Sequence, residues 1–366
     1  MNWLFIFLPV ALTLSYWLPG HQLLVFLSAS LAILPLAAWM SEATEALARR
    51  TNETIGGLLN ATFGNAAELI IAITALRAGL VDVVQAAIVG SIVGNILLVL
   101  GAAMLAGGLR HSIQVFNAEA ARSQASMLTL SAIALVLPAA YEALLDKAGQ
   151  STAALQPMSL VIAIVLLLVY GLDLIFMLKT HVGMFKSGSE DDLESVDPSE
   201  LQFTLSVQKP SLVLAIATAS VVWMSELLVG AIEPAAAAMG MNTPFIGIFV
   251  VAILGNAAEH ATAVTAAMGN RMDLALSIAI GSSVQIALFV APLLVVMSWL
   301  IAPVPMDLAF PVGQVIIVLL AVTISAQLAN DGRSYWLKGA QLLTIYLIMA
   351  ITFYCLPATI STVHGS

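Results

Sequence analysis

The sequence predicts an all-α membrane protein of about eleven transmembrane helices, one extra N-terminal span followed by two inverted five-helix repeats. Three observations carry that prediction. The 366 residues are 61% apolar and only 9% charged, with a mean hydropathy of +1.02. Surface area grows too slowly with mass for a water-soluble domain of this size to hide so much apolar surface, so lipid must be the solvent. The basic residues fall almost entirely on one side of an alternating series of spans. Two stretches of the chain also repeat one another.

Apolar runs between Gly, Pro and charge breaks place the spans at approximately 2–19, 21–46, 55–76, 83–108, 123–141, 156–178, 210–238, 243–268, 273–301, 307–328 and 336–357. The opening run lacks a basic leader and a small-residue cleavage site, and is read as a retained span. Several runs exceed the roughly 20 residues that a perpendicular helix needs, so tilts or kinks are expected. With the N-terminus on one side and the spans alternating, that side holds Arg49, Arg50, Arg110, Arg122, Lys179, Lys186, Lys209, Arg271, Arg333 and Lys338. The other side holds only Arg77 and Lys147. By the positive-inside bias the basic side is the cytoplasm and the C-terminus lies outside. Six of the 21 acidic residues cluster between Glu190 and Glu200, in a loop on the cytoplasmic side. That loop lacks the spacing of a calcium-binding EF-hand and reads equally well as a solvated linker. The lone cysteine, Cys355, excludes an intramolecular disulfide and thiolate metal sites.

The repetition is specific. Trp39-Met40-Ser41-Glu42 recurs as Trp223-Met224-Ser225-Glu226, and Gly64-Asn65-Ala66-Ala67-Glu68 as Gly255-Asn256-Ala257-Ala258-Glu259. Asp82 precedes Gly90-Ser91 at the spacing by which Asp273 precedes Gly281-Ser282. The last two pairs share an offset of 191 residues and the first has 184, as a seven-residue insertion would produce. The expected division is an extra span at 1–20, a first unit at 21–180, the acidic loop at 181–208 and a second unit at 209–357. Five spans per unit is an odd number, so the units enter the membrane from opposite sides, as in secondary transporters with a site between the repeats.

Glu68 and Glu259 fall near the middles of the third and eighth spans. An ionised acid at that depth costs on the order of 3 kcal/mol and is usually functional. A fixed basic partner would neutralise it, but all twelve Lys and Arg residues fall in loops or at span ends. The only nearby basic candidate is His260, which could move protons or simply hydrogen-bond. A mobile cation or protons must therefore balance the two acids. Asn65 and Asn256 sit three residues before the acids, on the same helical face. Two carboxylates and two amide oxygens form a hard oxygen set suited to calcium, with backbone carbonyls and water completing it. One divalent cation or two protons neutralise the pair equally well, so the two would compete for the same oxygens. Ser91, Asn95, Ser282, Ser283 and Gln285 lie near the same depth, where helix–helix hydrogen bonding is as good a reading as ion contact. Glu42 and Glu226 line access vestibules or simply face solvent. Asp173, near the cytoplasmic end of the sixth span, reads as solvated.

The strings Gly64-Asn65-Ala66-Ala67-Glu68-Leu69-Ile70 and Gly255 to His260 resemble the two signature repeats of the calcium/proton exchanger family, within the calcium:cation antiporter superfamily. Asp273-Leu274-Ala275-Leu276 and the stretch from Gly281 to Phe289 are similar to that family too, and the resemblance extends over nearly the whole chain. It implies an eleven-span fold in which Glu68 and Glu259 carry calcium and protons in turn. It further implies assistance from Asn65, Asn256 and backbone carbonyls, and a sliding or tilting of spans 2 and 7 that puts Glu42 and Glu226 on the ion path. Gly94 departs from the family, where Ser commonly precedes the asparagine. The partners implied are calcium ions, protons and membrane lipid, with no nucleic acid and no cofactor beyond the transported ions; a homo-oligomer is compatible with this. The prokaryotic size points to a plasma (inner) membrane.

A sodium/calcium exchanger would carry more Ser, Thr and Asp where this chain has Ala and Gly around the acids. A divalent cation channel would conduct without a counter-gradient. No motif of a membrane-embedded enzyme is present in the sequence: there is no protease-like Gly-Asp pair, no His-Glu-x-x-His and no nucleophile with a partner base.

Overall fold

The computed structural model describes residues 2–18, 20–51, 53–185 and 207–356. The acidic stretch 187–200 lies outside the described residues. Runs of Leu, Ile, Val and Ala with few polar interruptions become helices because only intra-segment hydrogen bonds satisfy a backbone that leaves water. The helices are α1 Phe7–Trp17, α2 Gln22–Ala48, α3 Glu53–Phe63, α4 Ala66–Arg77, α5 Val81–Arg110, α6 Ala118–Ala148, α7 Leu155–Thr180, α8 Gln208–Met239, α9 Thr243–Met268, α10 Met272–Ile301, α11 Val312–Asn330 and α12 Trp336–Tyr354. Among the described residues nine of these, α2 and α5–α12, are long and apolar enough to cross a membrane. The protein is an integral membrane protein. The apolar stretch Trp3–Trp17 is shorter, and the expected third span is two helices rather than one.

That third span breaks at Gly64 and Asn65. Asn65 leaves the helical region (φ −101°, ψ 24°), and a Cβ at Gly64 would stand 2.6 Å from the Asn60 carbonyl oxygen. Asparagine competes with helix by hydrogen-bonding elsewhere. The matching Gly255 and Asn256 sit inside the continuous helix α9. A further departure from ideal helix is that α5, α7, α9 and α10 each contain a π-helical stretch, at Gly94–Val99, Phe176–Thr180, Ile246–Val251 and Ile286–Val290. The stretches in α5 and α10 begin one helical turn after Ser91 and Ser282, at equivalent places in the sequence repeat.

The connections gather into two sets at opposite ends of the bundle. At one end the two-residue strands β1 (Gln114–Val115) and β2 (Arg333–Ser334) pair antiparallel. Beside them Gln114 Nε2 donates to the Ala267 carbonyl at 2.8 Å, and Asn117 N–H donates to Asp273 Oδ1 at 2.6 Å. Asn117 also accepts from Glu119 and Ala120 N–H at the start of α6, the usual work of an N-cap residue. At the other end Gln85 and Gln156 donate to the carbonyls of Asp307 and Pro305, and Leu308 N–H donates to Ser159 Oγ. Asn242 there donates to the Phe353 and Leu356 carbonyls.

Inside the bundle α2 and α8 pack along one another, α2 also touches α9 and α8 touches α4. Small residues set the closest crossings. A Cβ on Gly90 would collide with the Ile248 backbone, and one on Gly247 would lie 2.6 Å from Ala86 Cβ. Helices α5 and α9 therefore touch nearly backbone to backbone, as membrane helices do when dispersion rather than water drives packing.

Candidate functional site

Glu68 occupies the first turn of α4, and Glu259 lies inside α9. The two helices meet where Gly255 presents no side chain. A Cβ there would fall 2.7 Å from Glu68 Cγ and 2.9 Å from its Oε1, so the glycine is the surface on which the Glu68 side chain lies. The charges of Glu68 and Glu259 are close enough to act on each other. Both residues are half-buried, yet Oε2 of each is sealed from solvent and has no hydrogen-bond partner. Neither carboxylate has an ion-pair partner among the described residues.

The asparagines are tied across the bundle rather than along their own helices. Asn65, 1% exposed, donates from Nδ2 to Gln285 Oε1 at 2.7 Å and accepts on Oδ1 from the Ser282 hydroxyl at 3.1 Å. That hydroxyl also reaches the Glu259 carboxylate. Asn256 donates to Ser91 Oγ at 3.2 Å and to the Ala252 carbonyl at 3.1 Å, and its Oδ1 is buried without a partner. The pattern is reciprocal: each signature asparagine bonds the serine of the other unit. Ser283 donates to the Ala279 carbonyl at 2.9 Å and reaches the Ile92 carbonyl at 3.4 Å, a tie between α10 and α5. Asn95 Nδ2 and His260 Nε2 are buried with no partner.

The expected site residues thus separate into two groups. Glu68, Glu259, Asn65, Asn256, Ser91, Ser282 and Gln285 come together, with His260 next to Glu259 in the chain and Asn95 one turn after Ser91. Glu42 and Glu226 stand apart, both exposed on the long helices. Glu42 lines a cleft of about 370 Å³ with Trp39, Arg50, Lys209 and Val213. Among the described residues no three His, Cys, Asp or Glu side chains converge as they do around a resident metal.

Two cavities approach this cluster. One, of about 30 Å³, runs from Glu68 and Ser91 past Ala75, Val83 and Leu294 toward the end that carries the 302–311 connection, and its other lining is apolar. The second, of about 110 Å³, adjoins Gln285 from the opposite end and is lined by Asn60, Gln124, Tyr170 and Asp173. Asp173 is 6% exposed, which corrects the expectation that it is solvated. Its burial comes from the packing of α3, α6 and α10 around α7, a tertiary arrangement that the local sequence does not announce. Gly255 as the bed of Glu68 was also missed, although its place in the repeated string was a usable signal.

Membrane-length apolar helices folded around two unpaired carboxylates, with a cavity on either side, define a membrane ion-transport protein. Residues 21–179 and 209–355 match the family described as sodium/calcium exchanger protein. The chain is 46% identical over 362 residues to a Ca²⁺/H⁺ antiporter of Aphanothece halophytica, covering 97% of this chain and 96% of the relative. A Ca²⁺/H⁺ antiporter of Synechocystis is 44% identical over 366 residues, covering 98% and 97%. The solved structure of YfkE superposes with a TM-score of 0.81 at 37% identity, covering 96% of this chain and all of that one. The chain belongs to the calcium/proton exchanger family.

Proposed function

We propose that this protein exchanges calcium for protons across a membrane by alternating access, with Glu68 and Glu259 holding calcium and protons in competition. The observation that carries this reading is the pair of carboxylates whose Oε2 atoms are buried and unpartnered and whose charges act on each other, with no basic side chain ion-paired to either among the described residues. One calcium ion or two protons restore neutrality, and neither can stay while the other is bound. Asn65 and Asn256 contribute amide oxygens to the ion, and Ser91, Ser282 and Gln285 hold those amides in place. His260 passes protons to Glu259. Asn95 lines the ion's approach.

The chain crosses the membrane eleven times in this reading, with α1 as the extra span and α3 and α4 together as one crossing. The units 21–180 and 209–357 are inverted copies joined by the acidic loop 181–208. The two separate family matches and the reciprocal asparagine–serine bonds support that division. Helices α2 and α8 move against one another and against α4 and α9 to open alternate ends, so that Glu42 and Glu226 meet ions at the two mouths. The basic bias sets the end with the 111–117 connection in the cytoplasm of a prokaryotic cell and the C-terminus outside. Calcium and protons are cargo, and no enzymatic step or cofactor is involved.

The test is calcium uptake by everted vesicles or proteoliposomes under an imposed pH gradient, with a sodium gradient in parallel. Uptake that follows the proton gradient, ignores sodium and is lost in Glu68→Gln and in Glu259→Gln is the expected result. Sodium-driven uptake would reassign the coupling ion, and full uptake by either variant would overturn the site.

A further inference from the structure

The cavity that adjoins Gln285 holds a carboxylate for which exchange at Glu68 and Glu259 has no role. Asp173 is 6% exposed and projects into a space of about 110 Å³ with Asn60, Gln124, Tyr170 and Gln285. Among the described residues no basic side chain pairs with it, and its carboxylate forms no hydrogen bond. A structural carboxylate at membrane depth is ordinarily matched by a buried cation or by donors, since leaving it bare is costly. Its surroundings are built rather than incidental. Tyr170, one turn before it, is stacked on Phe289 of α10 at 5.3 Å, and the Gln124 amide lies against Gly281. Asn60, at the mouth, is exposed.

The cavity is also connected to the site. Gln285 forms part of its wall and accepts the 2.7 Å hydrogen bond from Asn65. An ion beside Asp173 is therefore one side chain away from the asparagine that borders Glu68. The arrangement has no counterpart in the second unit, because α12, which occupies the position of α7 there, contains no Asp or Glu. The extra acid serves one end of the molecule only.

We propose that Asp173, with the amide oxygens of Gln124 and Asn60, forms a calcium waystation that takes a partly hydrated ion from the end with the 111–117 connection and delivers it past Gln285 to the carboxylate pair. One carboxylate with neutral oxygens and water is a weak calcium site, as a point of passage must be if the ion is to move on. The proposal rests on the exchange reading above but is tested apart from it.

Two measurements decide it. In proteoliposomes of sorted orientation, Asp173→Asn should raise the apparent KM for calcium several-fold when calcium is offered at the end with the 111–117 connection. The KM at the other end and the maximal rate should stay unchanged, and Asp173→Glu should restore most of the affinity. In the full chain carrying Glu68→Gln and Glu259→Gln, terbium should still give emission sensitised by Tyr170. Calcium should displace it, and adding either Asp173→Asn or Tyr170→Phe should abolish it. An equal rise of KM at both ends would mark Asp173 as structural and overturn the proposal, as would emission indifferent to Asp173→Asn. If Glu259→Gln alone kept full exchange, the central site would be wrong while the terbium result still judged Asp173.

Discussion

Asn65 has both ends of its amide engaged by α10, whereas Asn256 keeps a buried oxygen free, so the two signature asparagines are equivalent in sequence but not in this conformation. The same single-residue view makes Gly255 a functional position. Its missing Cβ leaves room for a flexible side-chain end, Glu68 Cγ to Oε1, rather than for rigid backbone. Gly255→Ala should therefore displace the Glu68 carboxylate at a stability cost of about 1–3 kcal/mol, typical of overpacking. The expected outcome is protein that purifies folded, with calcium exchange depressed far more than its thermal midpoint. Normal exchange in folded Gly255→Ala would remove the glycine from the site. Asp307, in the connection between α10 and α11, gives a pH prediction. Burial foremost, and then the charge of Asp82, push its carboxyl above the usual carboxylate range against the opposing hydrogen bonds from Ala309 N–H and Gln85. A folded-state value above the unfolded one favours the fold fully only below the ordinary aspartate value of about 4, and that advantage is lost as pH rises through the folded value. Asp307→Asn keeps an acceptor for Ala309 without the charge. It should raise the melting midpoint at neutral pH, with the gap to the parent closing as the pH is lowered toward 4.

At the scale of helices, the crossing of α5 and α9 separates two glycines that look alike in sequence. Gly90 faces the Ile248 backbone, which has no side-chain freedom with which to yield, while Gly94 has nothing within 4 Å of where a Cβ would stand. Gly90→Ala should sharply lower the midpoint of thermal unfolding in detergent or prevent accumulation in the membrane, and Gly94→Ala should leave both near the parent. Equal tolerance of the two would mean that α5 and α9 do not cross as described. Elements are also where the sequence was most and least legible. Apolar runs between Gly, Pro and charge breaks located α2, α5, α7–α10 and α12 to within a few residues, because lipid demands length and hydropathy of each helix separately. The expected 123–141 fell short of α6 at both ends, and the expected 307–328 began five residues before α11. The π-helical stretches in α5 and α10 left no such trace, since Gly94–Val99 and Ile286–Val290 are as apolar as the α-helix around them. Such stretches recur at functional sites, where they reset the face that a helix presents. The break at Asn65 was half legible: an asparagine that competes with helix stands in both copies, yet only the first one opens. The β1–β2 pair and the burial of Asp173 depend on which distant segments come to rest nearby, and no local pattern encodes that.

On the scale of the whole molecule, the repeated Gly-Asn-Ala-Ala-Glu strings made the centre readable because both halves of the site are written in the same five letters. What the strings do not spell out is that neither half is complete alone. Asn65 depends on Ser282 and Gln285, Asn256 depends on Ser91, and Glu68 lies on Gly255, so every one of these contacts joins residues before 180 to residues after 208. The larger packing follows the same rule. Helix α2 lies on α8, α5 on α12, α6 on α11 and α7 on α10, each pair drawn from both units. Helices inserted independently into a membrane find one another by packing, without needing covalent continuity between them. Two co-expressed fragments, 1–185 and 207–366, should therefore assemble into a complex that copurifies and exchanges calcium for protons, provided each fragment is inserted with its orientation in the full chain. Each fragment alone should be degraded or aggregate, because it would leave Asn65 or Asn256 without the partner that satisfies it in the complex. Accumulation of one fragment as a stable, folded monomer would contradict this dependence. Failure of the pair to associate, with both correctly inserted, would show that the connection 186–206 holds the halves together and that their packing does not.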